Sequence, residues 1–178
     1  MIEDLFIDTD CIAAFLWVGE QSILSQLYGQ RIIIPQQVYN EISNPYTPHL
    51  KQRVDALVQA GDAQILDMDI DSEEFRTFLK LTQNPEPGHT IIGDGEAAAI
   101  SLAKEKNGIL ASNNLRDICQ YVSEYSLKHI TTGDILVDAY TKGLITEHEG
   151  NNIWSAMLNK RRKIGANSFS EYLQNKEI

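Results

Sequence analysis

The sequence is poor in cysteine and contains no long hydrophobic segment. Its two cysteines, Cys11 and Cys119, form no CxxC pair and have no histidine close by, which argues against a disulfide framework and against a zinc site. No apolar run approaches the roughly 20 residues that a membrane helix needs, and no basic segment precedes a long apolar stretch at the N-terminus. We therefore expect a cytoplasmic protein without a membrane partner, in which both thiols are buried and reduced.

Positive charge is also scarce, with 15 lysines and arginines against 25 aspartates and glutamates and a net charge of −10. Phosphate is repelled by such a surface, so a nucleic-acid partner requires metal ions on the acidic groups or a local basic patch. One basic run, which consists of Lys160, Arg161, Arg162 and Lys163, is a candidate RNA-binding patch. The same run also suits the end of an exposed helix, where basic side chains interact favourably with the helix dipole. Both interpretations remain open.

Short apolar segments alternate along the chain with segments of helical periodicity. Strands are predicted at residues 5–7, 31–34, 63–66, 109–111 and 128–130, where the apolar character is largely continuous. Continuous apolar strands are typical of sheets that are covered by helices on both faces. The pattern therefore predicts an α/β fold with three layers, α/β/α, around a central and mostly parallel sheet of four to five strands.

Capping signals position the helices between these strands. Helices are predicted at residues 11–18, 36–43, 51–60, 71–81, 96–106, 116–124, 134–142 and 146–160, followed by a terminal helix. Asp71 with Glu74 and Thr146 with Glu149 have the spacing of a capping box, and Thr132 is expected to cap the helix at 134–142.

The 178 residues are enough for one domain with a full hydrophobic core. We predict a main domain at residues 1–145 and a C-terminal helical extension at residues 146–178 that packs on it. The extension contains amphipathic helices, so it could instead form a dimer surface or a docking site for a partner protein.

Acidic and amide side chains follow several of the predicted strands. They are Asp8 after the first strand, Glu41 in the helix after the second, Asp94 and Glu96 at the end of the glycine-rich loop 83–95, and Ser112, Asn114 and Asp117 after the strand at 109–111. In a parallel sheet the carboxyl ends of the strands meet at one edge, so we expect these side chains to converge. Converging carboxylates repel one another unless a cation lies between them. Their oxygen atoms favour Mg²⁺ or Mn²⁺ over zinc, and such an ion can activate water for attack on a phosphodiester.

Each of these residues also has an ordinary structural explanation. Asp8 or Asp10 could cap the next helix, and capping is the preferred interpretation for Asp10. Glu41 and Asp117 could be solvated surface charges, and Glu96 in a first helical turn is favourable because of the helix dipole alone. The functional interpretation depends on their convergence at one sheet edge.

Four segments together resemble the PIN-domain family, particularly the toxins of bacterial toxin–antitoxin pairs. They are DTD at 8–10, VYNEI at 38–42, GDGEAAAI at 93–100 and SNNLRDI at 112–118. The segments TGDIL at 132–136 and KGLI at 142–145 are similar to one PIN subfamily. Their order and spacing carry the resemblance, which covers about residues 3–145.

The resemblance implies a ribonuclease that uses Mg²⁺ or Mn²⁺ and forms no covalent intermediate. It implies catalytic roles for Asp8, Glu41, Glu96 and Asp117, metal ligands at Asp8, Glu96, Asn114, Asp117 and Asp94, and supporting roles for Asp10 and Ser112. Asn114 stands where the family usually has an aspartate, so it can offer a neutral oxygen but no charge. The implied partners are RNA, an antitoxin protein and a second copy of the chain in a homodimer.

Two other functions are compatible with the same residues. A PIN-like domain that has lost catalysis through Asn114 could bind RNA or protein without cutting. The DTD segment also resembles the nucleophile motif of haloacid-dehalogenase-like phosphatases, in which Asp8 would be phosphorylated, Asp10 would act as general acid and Asp94 would bind Mg²⁺. Against the phosphatase, Ala98 occupies the position of the second late aspartate, and Glu41 would have no role.

Overall fold

The computed structural model describes residues 3–176, which fold around one sheet of five parallel strands. The strands are β1 (Leu5–Ile7), β2 (Ile32–Pro35), β3 (Ala63–Leu66), β4 (Ile109–Ala111) and β5 (Lys128–Ile130). Their order across the sheet is β3-β2-β1-β4-β5, and every neighbouring pair is parallel. The predicted fold class is confirmed, and β1 lies at the centre of the sheet.

Helices connect the strands and cover both faces of the sheet. They are α1 (Thr9–Val18), α2 (Ser22–Tyr28), α3 (Gln36–Ile42), α4 (Pro48–Gln59), α5 (Glu73–Thr82), α6 (Asp94–Glu105), α7 (Leu115–Glu124), α8 (Thr132–Thr141), α9 (Glu147–Asn159) and α10 (Phe169–Lys176). Of these, α2 was not predicted from the sequence. It begins after Gln21, whose side chain makes no capping hydrogen bond, so the sequence contains no start signal for it.

Alternate residues of the central strands enter two separate hydrophobic cores. Leu5 and Ile7 of β1 belong to the first core, whereas Phe6 between them belongs to the second. In β2, Ile33 likewise faces the second core. Both faces of each strand are therefore buried, which explains why the strands are apolar along their whole length. The first core also contains Trp154 of α9, and the second contains much of α6.

Two predicted helix starts are displaced. The helix predicted to begin at Asp71 is capped by Ser72, whose hydroxyl accepts from the Phe75 N–H. Thr131, rather than Thr132, caps α8, and its hydroxyl and backbone form a complete capping box with Asp134. In each case the side chain that reaches the third helical N–H belongs to the neighbouring residue, which has the extended backbone of a cap. The capping box of Thr146 with Glu149 is confirmed.

Only one of the two cysteines is buried. Cys11 lies in the first core, but Cys119 is exposed, so the prediction of two buried thiols is wrong. The buried residues of α7 are Ile118 and Tyr121. Cys119 follows Ile118 directly, and a helical step of about 100° turns it towards solvent.

The C-terminal helices pack against the rest of the molecule. Trp154 and Phe169 are fully buried, and the Trp154 indole N–H donates to the Ala166 carbonyl at 3.0 Å. Gly150 allows this packing, because a Cβ there would lie 2.3 Å from the Phe169 ring. The division of the chain at residue 145 stays a prediction. None of the helices in the described part of the chain combines the length and the apolar composition that crossing a bilayer would require.

Candidate functional site

Asp8 lies at the carboxyl end of β1 and is fully buried. Its Oδ1 accepts a hydrogen bond from the Cys11 backbone N–H at 2.7 Å, so Asp8 caps α1. The expectation that Asp10 is the capping residue is wrong, because Asp10 already lies within the first helical turn. The other oxygen of Asp8, Oδ2, is buried and has no hydrogen-bond partner among residues 3–176.

Burial makes the ionised form of Asp8 unfavourable. Loss of solvent raises the pKa of this carboxyl from 3.8 to about 7, and the charges of Asp10 and Glu96 act in the same direction. The nearby Ser112 hydroxyl and the Cys11 N–H oppose this rise in pKa. Ser112 is nevertheless not placed to make a hydrogen bond of ordinary geometry with Oδ2. A buried carboxylate oxygen without a donor is strongly stabilised by a cation, so Asp8 has the properties of a metal ligand.

Glu41 of α3 is held by two other elements of the site. Its Oε2 accepts a hydrogen bond from the Thr9 hydroxyl, and its Oε1 accepts one from the Gly95 N–H at 3.0 Å. The side chain is exposed, yet it joins the start of α1 to the start of α6. The structure therefore brings Glu41 to the same sheet edge as Asp8, as the sequence predicted.

Gly95 has to be glycine for this arrangement to exist. A Cβ on Gly95 would lie 2.5 Å from the Thr9 hydroxyl oxygen and 2.8 Å from Glu41 Oε2. Any other residue would displace the Glu41 carboxylate or turn the Thr9 side chain away. The sequence motif contained this glycine, but its close approach to Glu41 is visible only in three dimensions.

Asn114 forms the bridge between two carboxylates. Its Nδ2 donates to Glu96 Oε1 at 2.6 Å and to Asp117 Oδ2 at 2.8 Å. The two acidic side chains, predicted as ligands, are thus brought together with Asn114. The Asn114 amide nitrogen carries two N–H groups, and their hydrogen bonds relieve the repulsion between the two carboxylates. A third carboxylate at this position would increase that repulsion.

The pKa of Glu96 is raised, as is that of Asp8. Partial burial raises the pKa of Glu96, and the charges of Asp117 and Asp10 add to the rise. The hydrogen bond from Asn114 is the main interaction that opposes it. Two carboxyls of the cluster therefore hold their protons more tightly than free carboxyls do.

Two of the predicted site residues, Asp94 and Ser112, do not line the cavities beside the acidic cluster. Asp94 is exposed in the first turn of α6, outside both cavities that adjoin the cluster, so the structure does not bring it to Asp8. Ser112 is buried next to Asp8, where its Oγ accepts a hydrogen bond from the Asn114 N–H at 3.4 Å. Ser112 therefore positions the loop that carries Asn114.

Three residues that the sequence reasoning missed hold this loop in place. Asn113 donates from Nδ2 to the Thr132 hydroxyl at 2.8 Å and accepts from the Thr132 N–H at 2.9 Å. His129 Nε2 lies 2.8 Å from the Ser112 carbonyl oxygen. Burial lowers the pKa of His129, so the ring is neutral and donates its proton to that carbonyl. Only the position of Asn113, next to Asn114 after a strand, could have suggested such a role.

A cavity of about 360 Å³ adjoins the acidic cluster, and half of its lining residues are basic. Its lining residues are Asp10, Asn113, Asn114, Arg116, Asp117, Arg161, Arg162 and Lys163. The four basic side chains outnumber the two acidic ones, in a protein whose net charge is −10. Three members of the predicted basic run thus lie beside the carboxylates, together with Arg116, which was not predicted.

Lys160, the first residue of the predicted basic run, has a different environment. Its Nζ lies over the Trp17 ring, 5.6 Å from the centroid, and it is not among the residues that line the basic cavity. A smaller cavity of about 190 Å³ also borders Asp10, and its other lining residues are Thr9, Glu41, Gly93, Gly95 and Glu96. Asp10 therefore borders both a cavity with basic side chains and a cavity with acidic ones.

The residues of the acidic cluster fit a hard divalent cation by their chemistry, although they are not arranged as a finished cage. Their donors are carboxylate and amide oxygens, and one of them, Asp8 Oδ2, is buried without a partner. In residues 3–176, no three His, Cys, Asp or Glu side chains lie close enough together to hold an ion as they stand. Asn114 lies between Glu96 and Asp117 and points its nitrogen, not its oxygen, at both carboxylates.

Comparison with known proteins identifies one family. A family model described as a PIN domain matches residues 5–177. None of the curated proteins that were compared matches the chain. The match extends past residue 145, where the motif resemblance ended, and so includes α9 and α10. It supports the PIN interpretation over the phosphatase, as does Ala98, which is fully buried in the second core.

Proposed function

The chain belongs to the PIN-domain family, whose members are generally nucleases that use divalent metal ions, and from this premise we propose that it hydrolyses RNA phosphodiesters with Mg²⁺ or Mn²⁺. One observation carries the proposal. Asp10, Asn114 and Asp117 border the same cavity as the basic side chains Arg161 and Arg162. A phosphodiester needs positive charge to bind and carboxylates to organise its hydrolysis, and the cavity offers both.

The basic cavity resolves the conflict between a net charge of −10 and a polyanionic substrate. The repulsion between the net negative charge of the protein and the RNA acts at long range, and salt screens it beyond about 8–10 Å under physiological conditions. Arg116, Arg161, Arg162 and Lys163 act within that distance on a phosphate in the cavity. The substrate is therefore held by local charge, while the rest of the surface disfavours non-specific binding.

Within this function, Asp8 and Glu96 are the proposed metal ligands, with Asp117 and the oxygen of Asn114 completing the donor set. A divalent cation supplies an activated water and neutralises the charge on the phosphoryl group. Asp8 must lose its proton to bind a cation, and its raised pKa makes that loss incomplete near neutrality without one. Glu41 fixes Thr9 and Gly95, and so sets the position of Glu96, the next residue of α6.

The test is cleavage of a mixed, labelled RNA pool in the presence of Mn²⁺, Mg²⁺ or EDTA by the wild type and by the Asp8→Asn variant. Asparagine retains the capping oxygen but not the charge, so the variant should fold and lose about a hundredfold or more of the metal-dependent rate. The matched control is Glu74→Gln, an acid-to-amide change at the other end of the sheet, which should leave the rate unchanged. Equal rates for Asp8→Asn and the wild type would refute the proposed site.

A second function is favoured by Asn114 itself. Because its amide already satisfies Glu96 and Asp117, the domain could bind RNA in the basic cavity without cutting it. Folded wild-type protein that retains labelled RNA but releases no fragments with either metal would support this alternative over the nuclease.

A role as the toxin of a toxin–antitoxin pair, an antitoxin partner and a homodimer are further proposals that rest on the motif resemblance. Growth arrest on induction in a bacterial host, lost in Asp8→Asn, would support the toxin role. Light scattering of the purified protein would decide between monomer and dimer.

A further inference from the structure

Within residues 3–176, six helices end in the same pair of backbone hydrogen bonds, and one of them ends in an arginine. In this motif the first residue after the helix takes a left-handed backbone, and glycine is preferred there. The left-handed residues are Gly19, Gly61, Asn107, Ser126, Gly143 and Arg161. At the end of α9, the Arg161 N–H donates to the Leu158 carbonyl at 2.8 Å, and the Arg162 N–H donates to the Met157 carbonyl at 3.0 Å.

Arg161 has a φ of 58°, a conformation that L side chains other than Asn and Asp rarely adopt. The two backbone hydrogen bonds offset part of this strain, but the Arg161 side chain adds no hydrogen bond or ion pair within the described residues. Arg161 is exposed, and its guanidinium makes no hydrogen bond or ion pair with any residue of the range 3–176. Glycine would make the same turn without strain, as Gly143 does at the end of α8.

The strained turn has a clear geometric consequence. In a continuing helix, consecutive side chains diverge by about 100°, so three residues in a row would spread around the helix. After the left-handed residue the chain reverses, and Arg161, Arg162 and Lys163 all line the basic cavity opposite Asp117. Arg162 is partly engaged there, since its guanidinium lies 3.9 Å from Asp10. Arg161 is thus a cation that faces the cavity without an internal partner.

We propose that Arg161 is a substrate-binding residue that contacts a backbone phosphate of single-stranded RNA in the basic cavity, and that its strained conformation is retained for this contact. The inference rests on the proposed function, because the ligand is the RNA that the neighbouring carboxylates would process. A planar guanidinium donates two parallel hydrogen bonds to phosphate, which lysine cannot do. Left-handed residues without a packing role are found preferentially at functional sites.

The proposal predicts that one substitution changes stability and binding in opposite directions. Arg161→Gly removes the strain and the guanidinium together. Its melting temperature should rise by roughly 2 °C, after allowance for the greater flexibility of glycine in the unfolded chain. Its affinity for an end-labelled polyuridine RNA should fall about tenfold in fluorescence anisotropy. The slope of log Kd against log salt should decrease by about 0.7, which corresponds to one phosphate contact on a single strand.

Ser126→Gly is the matched control. Ser126 has a φ of 51° and ends α7 in the same motif, but it lines a different cavity, with Glu3 and Lys128 at the other end of the sheet. This variant should gain stability as Arg161→Gly does and should bind the RNA like the wild type. Arg161→Asn removes the charge while it tolerates the left-handed backbone, as Asn107 does, so it should bind as weakly as Arg161→Gly.

The outcomes separate this inference from the proposed function. If the wild type binds the RNA and Arg161→Gly binds it equally well, the role of Arg161 is wrong and the proposed function stands. If Arg161→Gly melts at a lower temperature than the wild type, the arginine is a structural residue and the inference also fails. If the wild type binds no RNA at any salt concentration, the proposed function and this inference fail together.

Discussion

The acidic cluster at the carboxyl end of the central sheet differs from the acidic side chains at the amino end in how its charge is balanced. At the amino end, Glu3 is paired with Lys128 at 2.6 Å, and Glu74 is paired with Lys106 at 2.9 Å. The hydrogen bond from Lys106 holds the pKa of Glu74 below its ordinary value. The negative charges of these two carboxylates are neutralised by lysines of the same protein, so they require no bound cation.

At the carboxyl end, the acidic cluster lacks such partners, although Asp134, which follows β5, is paired with Lys176. Among residues 3–176, no Lys, Arg or His forms an ion pair with Asp8, Glu41, Glu96 or Asp117, and the nearest approach is Arg162 to Asp10 at 3.9 Å. Burial raises the pKa of Asp8 and Glu96 there, whereas the pKa of Glu74 is lowered. The pKa shifts of the cluster and of Glu74 thus have opposite signs, and perturbed carboxyls of the first kind are frequent at functional sites.

The largest expected effect is a pH dependence caused by Asp8. Between its ordinary pKa of 3.8 and its folded pKa of about 7, only the unfolded state has released the proton, so stability falls as pH rises through this interval. The difference of about 3 pKa units corresponds to about 4 kcal/mol of unfolding free energy. Denaturant unfolding of the wild type and Asp8→Asn in EDTA should show this extra decline only in the wild type. Parallel pH profiles would contradict the assignment.

A smaller effect is expected from divalent metal. At a concentration about a hundredfold above its Kd, Mn²⁺ should stabilise the wild type by about 3 kcal/mol near neutral pH. Scanning calorimetry should show this gain reduced in Glu96→Gln, which removes a ligand charge at the carboxyl end. In Glu74→Gln, the matched change at the amino end, the gain should be retained. An equal loss in both variants would mean that the two ends do not differ in metal binding.

The third prediction concerns the bridge between the carboxylates. Asn114→Asp adds a charge where the PIN family usually has one, so titration calorimetry should show Mn²⁺ affinity increased about tenfold, which is about 1.4 kcal/mol. The metal-free variant should be less stable than the wild type, because Glu96 and Asp117 would lose their shared donor. Asn107→Asp is the control, since it adds the same charge at the exposed C-terminal end of α6. Unchanged Mn²⁺ affinity in Asn114→Asp would exclude Asn114 as a ligand position.

The smallest effect is expected at the amino end of the sheet, where the acidic side chains are paired with lysines. Lys106 is well exposed, so Glu74→Gln should reduce the unfolding free energy by less than about 1 kcal/mol. The Glu74 pKa is lowered, so its contribution is present at neutral pH and is lost as pH falls through the acidic range, opposite in sign to that of Asp8. Denaturant titrations at neutral and acidic pH would test this, and a gain in stability at neutral pH would show that the pair is not stabilising.

Much of the fold could be predicted because its signals are local. The apolar strands, the glycines after helices and the capping box of Thr146 with Glu149 depend on residues a few positions apart. Predictions failed where a local signal was weak or ambiguous. The start of α2 has no capping side chain, and the observed caps are Ser72 instead of Asp71 and Asp8 instead of Asp10.

The sequence by itself determined that Asp8, Glu41 and Asn114 would follow strands of a parallel sheet, and that the glycine-rich loop would deliver Glu96 to the same edge. Only the tertiary structure decided what they do there. It set the burial that raises the pKa of Asp8, the donation from Asn114 to two carboxylates, and the basic cavity that joins α7 to the segment after α9. These features depend on desolvation and on contacts between distant segments, and spacing along the chain contains neither.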